Sequence, residues 1–308
     1  MDNLRAMRIF VRAVELGSLS AVAREMGTTQ PTISKAVAAL ERDLGVRLLE
    51  RTTTSLTPTP QGRRFHVRAK GVLEEYGEAV ADARGQTGMP TGLLRVNAPV
   101  ALGQFRLNAL MLEFLARYPD IEVELILNDR FVDLVEEGVD VALRLGGTLP
   151  PDGIARGIAV SPRLLVASPG YLRGRPAIRR PDDLHRHETI RFAWLASGDA
   201  MTLEGPGGSV TVRTHGRYRV NNALAIRESL ASGAGVGLAP AWLVDDLMAS
   251  GDLVAVLPTW RAPMQQAHLL YPSRRYQSLR ARLLIQFLAE RIPALAGFEP
   301  WPPERAGA

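Results

Sequence analysis

Apolar residues recur at helical spacing in three successive runs near the start of the chain. In Leu4 to Leu16, Met7, Phe10, Val11 and Val14 fall on one face and Arg5, Arg8 and Arg12 on the other. Ser18 is a good N-cap for a second helix that places Leu19, Val22, Ala23 and Met26 inward. Gly27 stops it, because a residue without Cβ takes positive φ freely. After Thr28, Thr29 and Gln30, Pro31 sits in the first turn of a third helix, where its missing N–H costs nothing. That helix is expected to bury Ile33, Val37, Leu40 and Leu44. Ala23 is small where two helices must cross, and with Gly27 and Ile33 it gives the spacing of a helix-turn-helix. The β-branched and turn residues from Val46 to Pro58 predict a short two-stranded wing.

Thr59 and Pro60 open a long helix expected to reach about Arg84. Phe65, Ala69, Val72, Tyr76, Val80 and Ala83 form a coiled-coil-like seam along it. The seam suits packing on the helical head, pairing with the same helix of a second chain, or both. Gly85 to Gly92 reads as a linker. The pattern then changes to alternating strands and helices: strands at Leu93–Asn97, Ile121–Leu127 and Val139–Leu145, helices at Phe105–Arg117 and Phe131–Glu137. A second set begins near Ile154. It has strands at Arg163–Ala167 and Thr189–Phe192, a hairpin of Met201–Glu204 with Ser209–Arg213, and a strand at Tyr218–Val220. A helix at Ala223–Ser232, a strand at Gly235–Ala239, a helix at Trp242–Ser250 and a strand at Leu253–Leu257 follow. A strand at Ala267–Tyr271 and a helix at Ser278–Arg291 close the set. Such βαβ alternation implies a largely parallel sheet. The Pro- and Gly-rich tail from Pro293 is expected to be loose. The resulting division is 1–58 head, 59–92 linker helix and hinge, and 93–308 α/β body.

Charge sharpens this picture. Residues 1–70 hold twelve Lys and Arg against six Asp and Glu, a net of +6, whereas the whole chain carries +5. The excess positive charge therefore belongs to the segment with the helix-turn-helix pattern, as in a DNA-binding head. The third helix turns Gln30, Pro31, Thr32, Ser34 and Lys35 outward, groups suited to base edges and phosphates. Ser18 and Ser20 flank that surface, and Arg51 and Thr53 at the wing tip are candidates for phosphate or minor-groove contact. A solvated helix pair with a solvated loop is the alternative.

Other chemistry finds little support. The chain has no cysteine, which excludes disulfides and thiol nucleophiles. The N-terminus is amphipathic and carries acids, unlike a signal peptide, so a cytoplasmic location is expected. Gly233-Ala234-Gly235-Val236-Gly237 follows a helix and precedes a strand, the reverse of a dinucleotide loop, and reads as a helix C-cap. His185 and His187 lack metal-helix spacing, and no Gly-x-Ser-x-Gly elbow occurs. No cofactor, metal or catalysis is expected.

Ser18-Leu19-Ser20-Ala21-Val22-Ala23, Gln30-Pro31-Thr32-Ile33-Ser34, Leu40 through Arg51 (LERDLGVRLLER) and Leu56-Thr57-Pro58-Thr59-Pro60-Gln61-Gly62 carry a resemblance. With the order of parts, they make the chain similar to the LysR-type transcriptional regulators over essentially its whole length. Pro60-Gln61 departs from the acidic or alanine residues more usual before that glycine. Arg117 to Asp120, Asn128 to Leu134 and Ala142 to Arg144 resemble the subgroup related to malate-utilisation and virulence regulators.

The resemblance implies a two-lobed body folded like a type 2 periplasmic binding protein. Lobe 1 would be about 93–161 plus 267–292 and lobe 2 about 162–266, with two crossover strands between them and a small-molecule inducer in the cleft. Helix N-termini there favour anions, so an anionic effector is among the expectations. Asn97, Pro99, Val100 and Ala101 at the first strand-to-helix junction, Arg144 at a strand end, and Asn221 and Asn222 before a helix are the candidate effector contacts. Arg144 in an ion pair with Asp129 or Asp133, and the asparagines as helix caps, are the alternatives. The implied partners are double-stranded DNA bearing an interrupted palindrome, further copies of the chain as dimer or tetramer, and RNA polymerase; no membrane is implied. A solute-binding or enzymatic module with a dimerising helical head, and an architectural DNA-binding protein, are the rival readings.

Overall fold

A computed structural model describes residues 2–51, 56–83, 90–130, 133–134, 137–147, 154–193, 197–272 and 277–302. The head is built from α1 (Asn3–Leu16), α2 (Leu19–Glu25) and α3 (Gln30–Leu44). Asp2 caps α1 by accepting from the Arg5 N–H at 3.1 Å, and Ser18 caps α2 by accepting from Ala21 at 3.3 Å. Their apolar faces close over Phe10, Val22, Ile33, Val37 and Leu40, all at most 2% exposed. Leu44 is not buried as expected: it is 39% exposed, because α3 has passed the end of the core before Gly45 turns the chain at φ 69°.

The wing is an antiparallel pair, β1 (Leu49–Arg51) and β2 (Leu56–Pro58). The tip residues between them, Thr53 included, lie outside the described residues. Glu41, on α3, accepts from the Leu48 and Leu49 N–H groups at 2.8 and 3.0 Å and ties the wing to the helix. α4 (Pro60–Ala83) begins at Thr59, whose hydroxyl donates to the Arg47 carbonyl at 2.8 Å and accepts from the Gly62 N–H at 2.9 Å. Gly62 is required by this approach: a Cβ there would lie 1.9 Å from the Leu48 carbonyl oxygen. The seam of α4 divides. Phe65, Ala69 and Leu73 join the head core, whereas Val72 and Tyr76 remain 46% and 48% exposed.

The body is organised by one mixed sheet. β3 (Gly92–Ala98), β4 (Ile121–Leu127) and β5 (Val141–Leu145) are parallel neighbours in the order β4-β3-β5. From β3 a continuous helical run crosses over: α5 (Val100–Leu102), a π turn (Gly103–Leu107) and α6 (Asn108–Arg117). The helix thus starts five residues earlier than its apolar spacing predicts. Gly103 sits where a Cβ would meet Leu127 at 2.2 Å, so a side chain there would push the run off β4. Most of the helix expected at 131–137 lies outside the described residues.

β6 (Ile154–Ala167) is a single long strand, not only its second half as expected. After it come α7 (Pro169–Leu172), a 3-10 segment (Pro181–Arg186), β7 (Thr189–Phe192) and the hairpin of β8 (Ala200–Gly205) with β9 (Gly208–Arg213). β10 (Arg219–Val220), α8 (Ala223–Ala231), β11 (Val236–Pro240), α9 (Ala241–Ser250) and β12 (Val254–Ala255) follow. β13 (Ala262–Tyr271) then returns antiparallel to β6, with α10 (Leu279–Arg291) after it. The sheet order is β10-β7-β11-β6-β13-β5-β3-β4. β7, β10 and β11 hang on one half of β6, and β5, β3 and β4 on the far half of β13. Two sub-sheets therefore share the β6–β13 pair.

Over its described residues, through Pro302, the tail is not loose. After a 3-10 turn (Ile292–Ala294), β14 (Glu299–Pro300) pairs with β6 at Val160 and Ala159. Phe298 stacks on Trp242 at 6.1 Å between centroids, and Trp301 meets His268 edge-on at 5.0 Å. The Ser161 hydroxyl donates to the Gly297 carbonyl at 2.6 Å. Aromatic burial outweighs the Pro and Gly content that suggests disorder. Phe298→Ala is accordingly expected to destabilise the protein by about 3 kcal/mol, as for a buried aromatic, and a denaturant melt reads it; an unchanged midpoint would mean a loose tail.

Burial also holds the imidazoles of His66, His187 and His268 below the ordinary histidine range. The unfolded chain then binds more protons than the native one below about pH 6.5. Stability from these groups is complete above that pH and declines as pH falls. Thermal melts from neutral to mildly acid pH should show the midpoint dropping, and a flat profile would contradict it.

Candidate nucleic-acid interface and interlobe cleft

The N-terminal face of α3 is presented to solvent on a rigid core. Gln30, Pro31, Thr32 and Lys35 are exposed and Ser34 is half-buried. The Thr29 and Thr32 hydroxyls bond each other at 2.9 Å, which orders the start of the helix. Ser18 is half-buried and spends its oxygen on the α2 cap, while Ser20 is exposed. Arg51 belongs to β1, next to the wing tip. Arg5, Arg8, Arg24, Arg42, Arg47, Arg63, Arg64 and Arg68 are exposed on the same module. Arg12 is withdrawn from that positive field by ion pairs with Glu15 and Glu25. Such a face offers donors, acceptors and positive charge to a groove, and no chemistry beyond binding.

In the body, the C-terminal ends of the parallel strands and the helix starts that follow them meet between the two sub-sheets. Pro99 precedes α5, and Val100 and Ala101 form its first turn. The Asp129 carboxylate lies at that helix start. Its Oδ1 accepts from the Val100 N–H at 3.1 Å, and its Oδ2 accepts from the Asn222 side-chain amide at 3.3 Å. The chain's own carboxylate thus takes the Val100 N–H at the expected anion seat. Asn222 also does what its cap reading predicts: its Oδ1 accepts from the Ala225 N–H at 3.1 Å. Asn221 is exposed beside it.

Arg144 is 5% exposed. Its guanidinium donates to the Leu143 and Arg130 carbonyls, each at 3.1 Å. Burial lowers its pKa, against electrostatic attraction from Asp129 and Glu137. It therefore fastens the loop that carries Asp129. Asn97 is wholly buried on β3, and neither its Oδ1 nor its Nδ2 has a partner among the described residues. Strand alternation puts it opposite the face of Leu94, Val96 and Ala98, beside Ala142 of β5. No hydrogen bond joins it to the Val100–Asp129–Asn222 group among the described residues.

Several residues that the pattern does not single out join the two sub-sheets. Arg106, in the π turn, reaches Asp245 at 2.7 Å and the Trp242 carbonyl at 2.9 Å. Arg227 of α8 lies over the Phe105 ring at 5.0 Å and pairs with Asp246 at 2.5 Å. The π turn aims two consecutive side chains across the cleft, as π bulges at functional sites commonly do. Arg163 on β6 is largely desolvated, which lowers its pKa, and it has no hydrogen-bond or ion-pair partner among the described residues. No local spacing marks these residues; only the extra residue of the π turn and the return of the chain make them neighbours. Gly233 follows α8 at φ 80°, as its C-cap reading requires.

Comparison with known proteins agrees with both halves of this description. Residues 4–63 match the bacterial regulatory helix-turn-helix of the lysR family, and residues 87–293 match the LysR substrate binding domain. The chain is 36% identical over 290 residues to the transcriptional regulator PtxR of Pseudomonas aeruginosa, covering 94% of this chain and 93% of that protein. It is 32% identical to the probable regulator LtrA of Klebsiella pneumoniae, covering 96% of each. Among solved structures, the full-length virulence activator AphB of Vibrio cholerae superposes with a TM-score of 0.59 at 28% identity, covering 93% of this chain and 98% of that one. CrgA of Neisseria meningitidis gives 0.60 at 28% identity, covering 94% and 98%. A basic helix-turn-helix with the N-terminal face of its third helix exposed, a long linker helix and a two-lobed periplasmic-binding-protein-like body, matched along nearly its full length, make this chain a member of the LysR family of DNA-binding transcriptional regulators.

Proposed function

We propose that this regulator is sequence-specific and cytoplasmic, and that a small molecule bound between its lobes changes how it sits on DNA. The observation that carries the DNA half is the exposed row Gln30, Pro31, Thr32 and Lys35 on α3, with Ser34 beside it, on a head whose charge is +6 over residues 1–70. In this reading α3 enters a major groove, Ser18 and Ser20 lie alongside, and Arg51 and Thr53 hold the backbone from the wing. We read 1–58 as the head, 59–92 as the linker and 93–308 as the effector body.

The exposed Val72 and Tyr76 on α4 support pairing of two linker helices, which would present two heads to an interrupted palindrome. Pairing of dimers into a tetramer that bends DNA, and contact with RNA polymerase, extend the reading. Within the family, the subgroup related to malate-utilisation and virulence regulators is our finer reading, supported on its virulence side by the likeness to a virulence activator. For the effector half, Val100, Asn222, Asn221 and the Arg144-held loop line the proposed site in this reading, with Pro99 and Ala101 beside Val100 at the helix start and Asn97 buried on the preceding strand. A ligand alters the balance only by binding one lobe arrangement better than another.

Fluorescence anisotropy tests the DNA half. A duplex from upstream of the protein's own gene should bind ~10³-fold or more tighter than a scrambled duplex. Lys35→Ala should weaken binding and flatten the log–log salt slope by about 0.9 if Lys35 meets one phosphate. An unchanged slope would remove Lys35 from the phosphate contacts, and equal affinity for both duplexes would contradict sequence-specific reading.

A further inference from the structure

We propose that Asp129 is a built-in substitute for an anionic ligand group, so that the effector meets this end of the cleft with a hydrogen-bond donor and not with a carboxylate. The inference rests on the reading of the cleft as the effector site and names the chemistry that site accepts.

The carboxylate is held where an external anion would otherwise be favoured. Val100 opens a helical run that continues to Arg117, and its free N–H is the natural donor for an anion. Asp129 Oδ1 already takes that N–H at 3.1 Å. Its second oxygen takes the Asn222 Nδ2 at 3.3 Å. The orientation of that amide is not arbitrary. Asn222 Oδ1 must face the Ala225 N–H that it caps, so the NH2 group must face Asp129. The loop under Asp129 is equally fixed. Asn128 N–H donates to the Ala98 carbonyl at 3.0 Å, and Arg144 donates to the Arg130 carbonyl at 3.1 Å. Anchors on both sides of Asp129 leave its carboxylate little freedom to leave the helix start.

A ligand carboxylate arriving here would face a fixed negative charge that already engages the Val100 N–H and one proton of the Asn222 amide. A ligand amine, alcohol or amide N–H would find acceptor capacity instead, because a carboxylate accepts about four hydrogen bonds and only two are used. Asp129 would then act as a specificity-determining residue. It also links a residue of the first sub-sheet to one of the second, so a donor that draws it away from Asn222 changes how the lobes are joined.

Chemical rescue tests the assignment in the full-length protein. Thermal melts would be recorded for wild type, Asp129→Ala and Asp129→Asn, in sodium acetate and in sodium chloride of equal ionic strength. Asp129→Ala should melt lower than wild type, and acetate should restore part of the loss where chloride does not. Wild type should show no acetate-specific gain. Asp129→Asn keeps the shape but has one acceptor and one donor where two acceptors are needed. It should melt lower than wild type and gain nothing from acetate, which keeps the test open if the alanine variant does not fold. Acetate stabilising wild type as much as the alanine variant, or either variant melting like wild type, would overturn the proposal. Specific DNA affinity measured on the same wild-type sample separates the two readings: its absence would sink the regulator mechanism while leaving the acetate result to stand by itself.

Discussion

The body depends on the antiparallel ladder between β6 and β13. These two strands are the shared part of both lobes: β11 and the strands beyond it hang on one half, and β5 and its neighbours on the other. A backbone ladder is stiff along its hydrogen bonds, and this one has two interruptions of register. It is interrupted between Ala262 and Gln265 and between Ala267 and His268, within the segment that joins the two halves. The tail reinforces the same place. β14 adds to β6 at Ala159 and Val160, while Phe298 and Trp301 reach residues on opposite sides of the joint. Arg106 with Asp245 and Asp129 with Asn222 then span the open side. The two halves share strands along one edge and are tied by polar contacts along the other.

The head follows a different economy. Three helices of modest length rely on caps and on one small core, and the Glu41 carboxylate fastens the wing to α3. The start of α4 is pressed so closely on Leu48 that only glycine fits at 62. The rigid contacts lie behind the N-terminal face of α3, and that face is left to solvent. α4 then passes between head and body. Glu74 on it meets the buried Arg280 of α10 at 2.5 Å, and Arg280 also donates to the Leu93 carbonyl at 3.1 Å.

Much of this was legible in the chain. Helical periodicity, Ser18, Pro31 and Gly27 placed the helix-turn-helix, and alternating patterns found nearly every strand of the body, because burial on one face forces those periods. What local pattern missed came from distant partners. Leu44 keeps the right spacing but has no core to meet. The tail has a loop-like composition, yet Phe298 and Trp301 find aromatic surfaces that only the folded body creates. Val100 begins a helix that no apolar stripe announces, since a strand-to-helix junction is stabilised by Asp129, 29 residues on. There the helix N-terminus meets the chain's own carboxylate, a partner that no local pattern can show.

The central claim is that α3 of two linked heads reads DNA. Hydroxyl-radical footprinting of the full-length protein on DNA upstream of its own gene tests it most directly. Two protected patches on one face of the duplex, their centres about 10.5 base pairs or a multiple of that apart, are the predicted result. Uniform protection along the fragment at any sequence, or a single patch of one half-site, would contradict it.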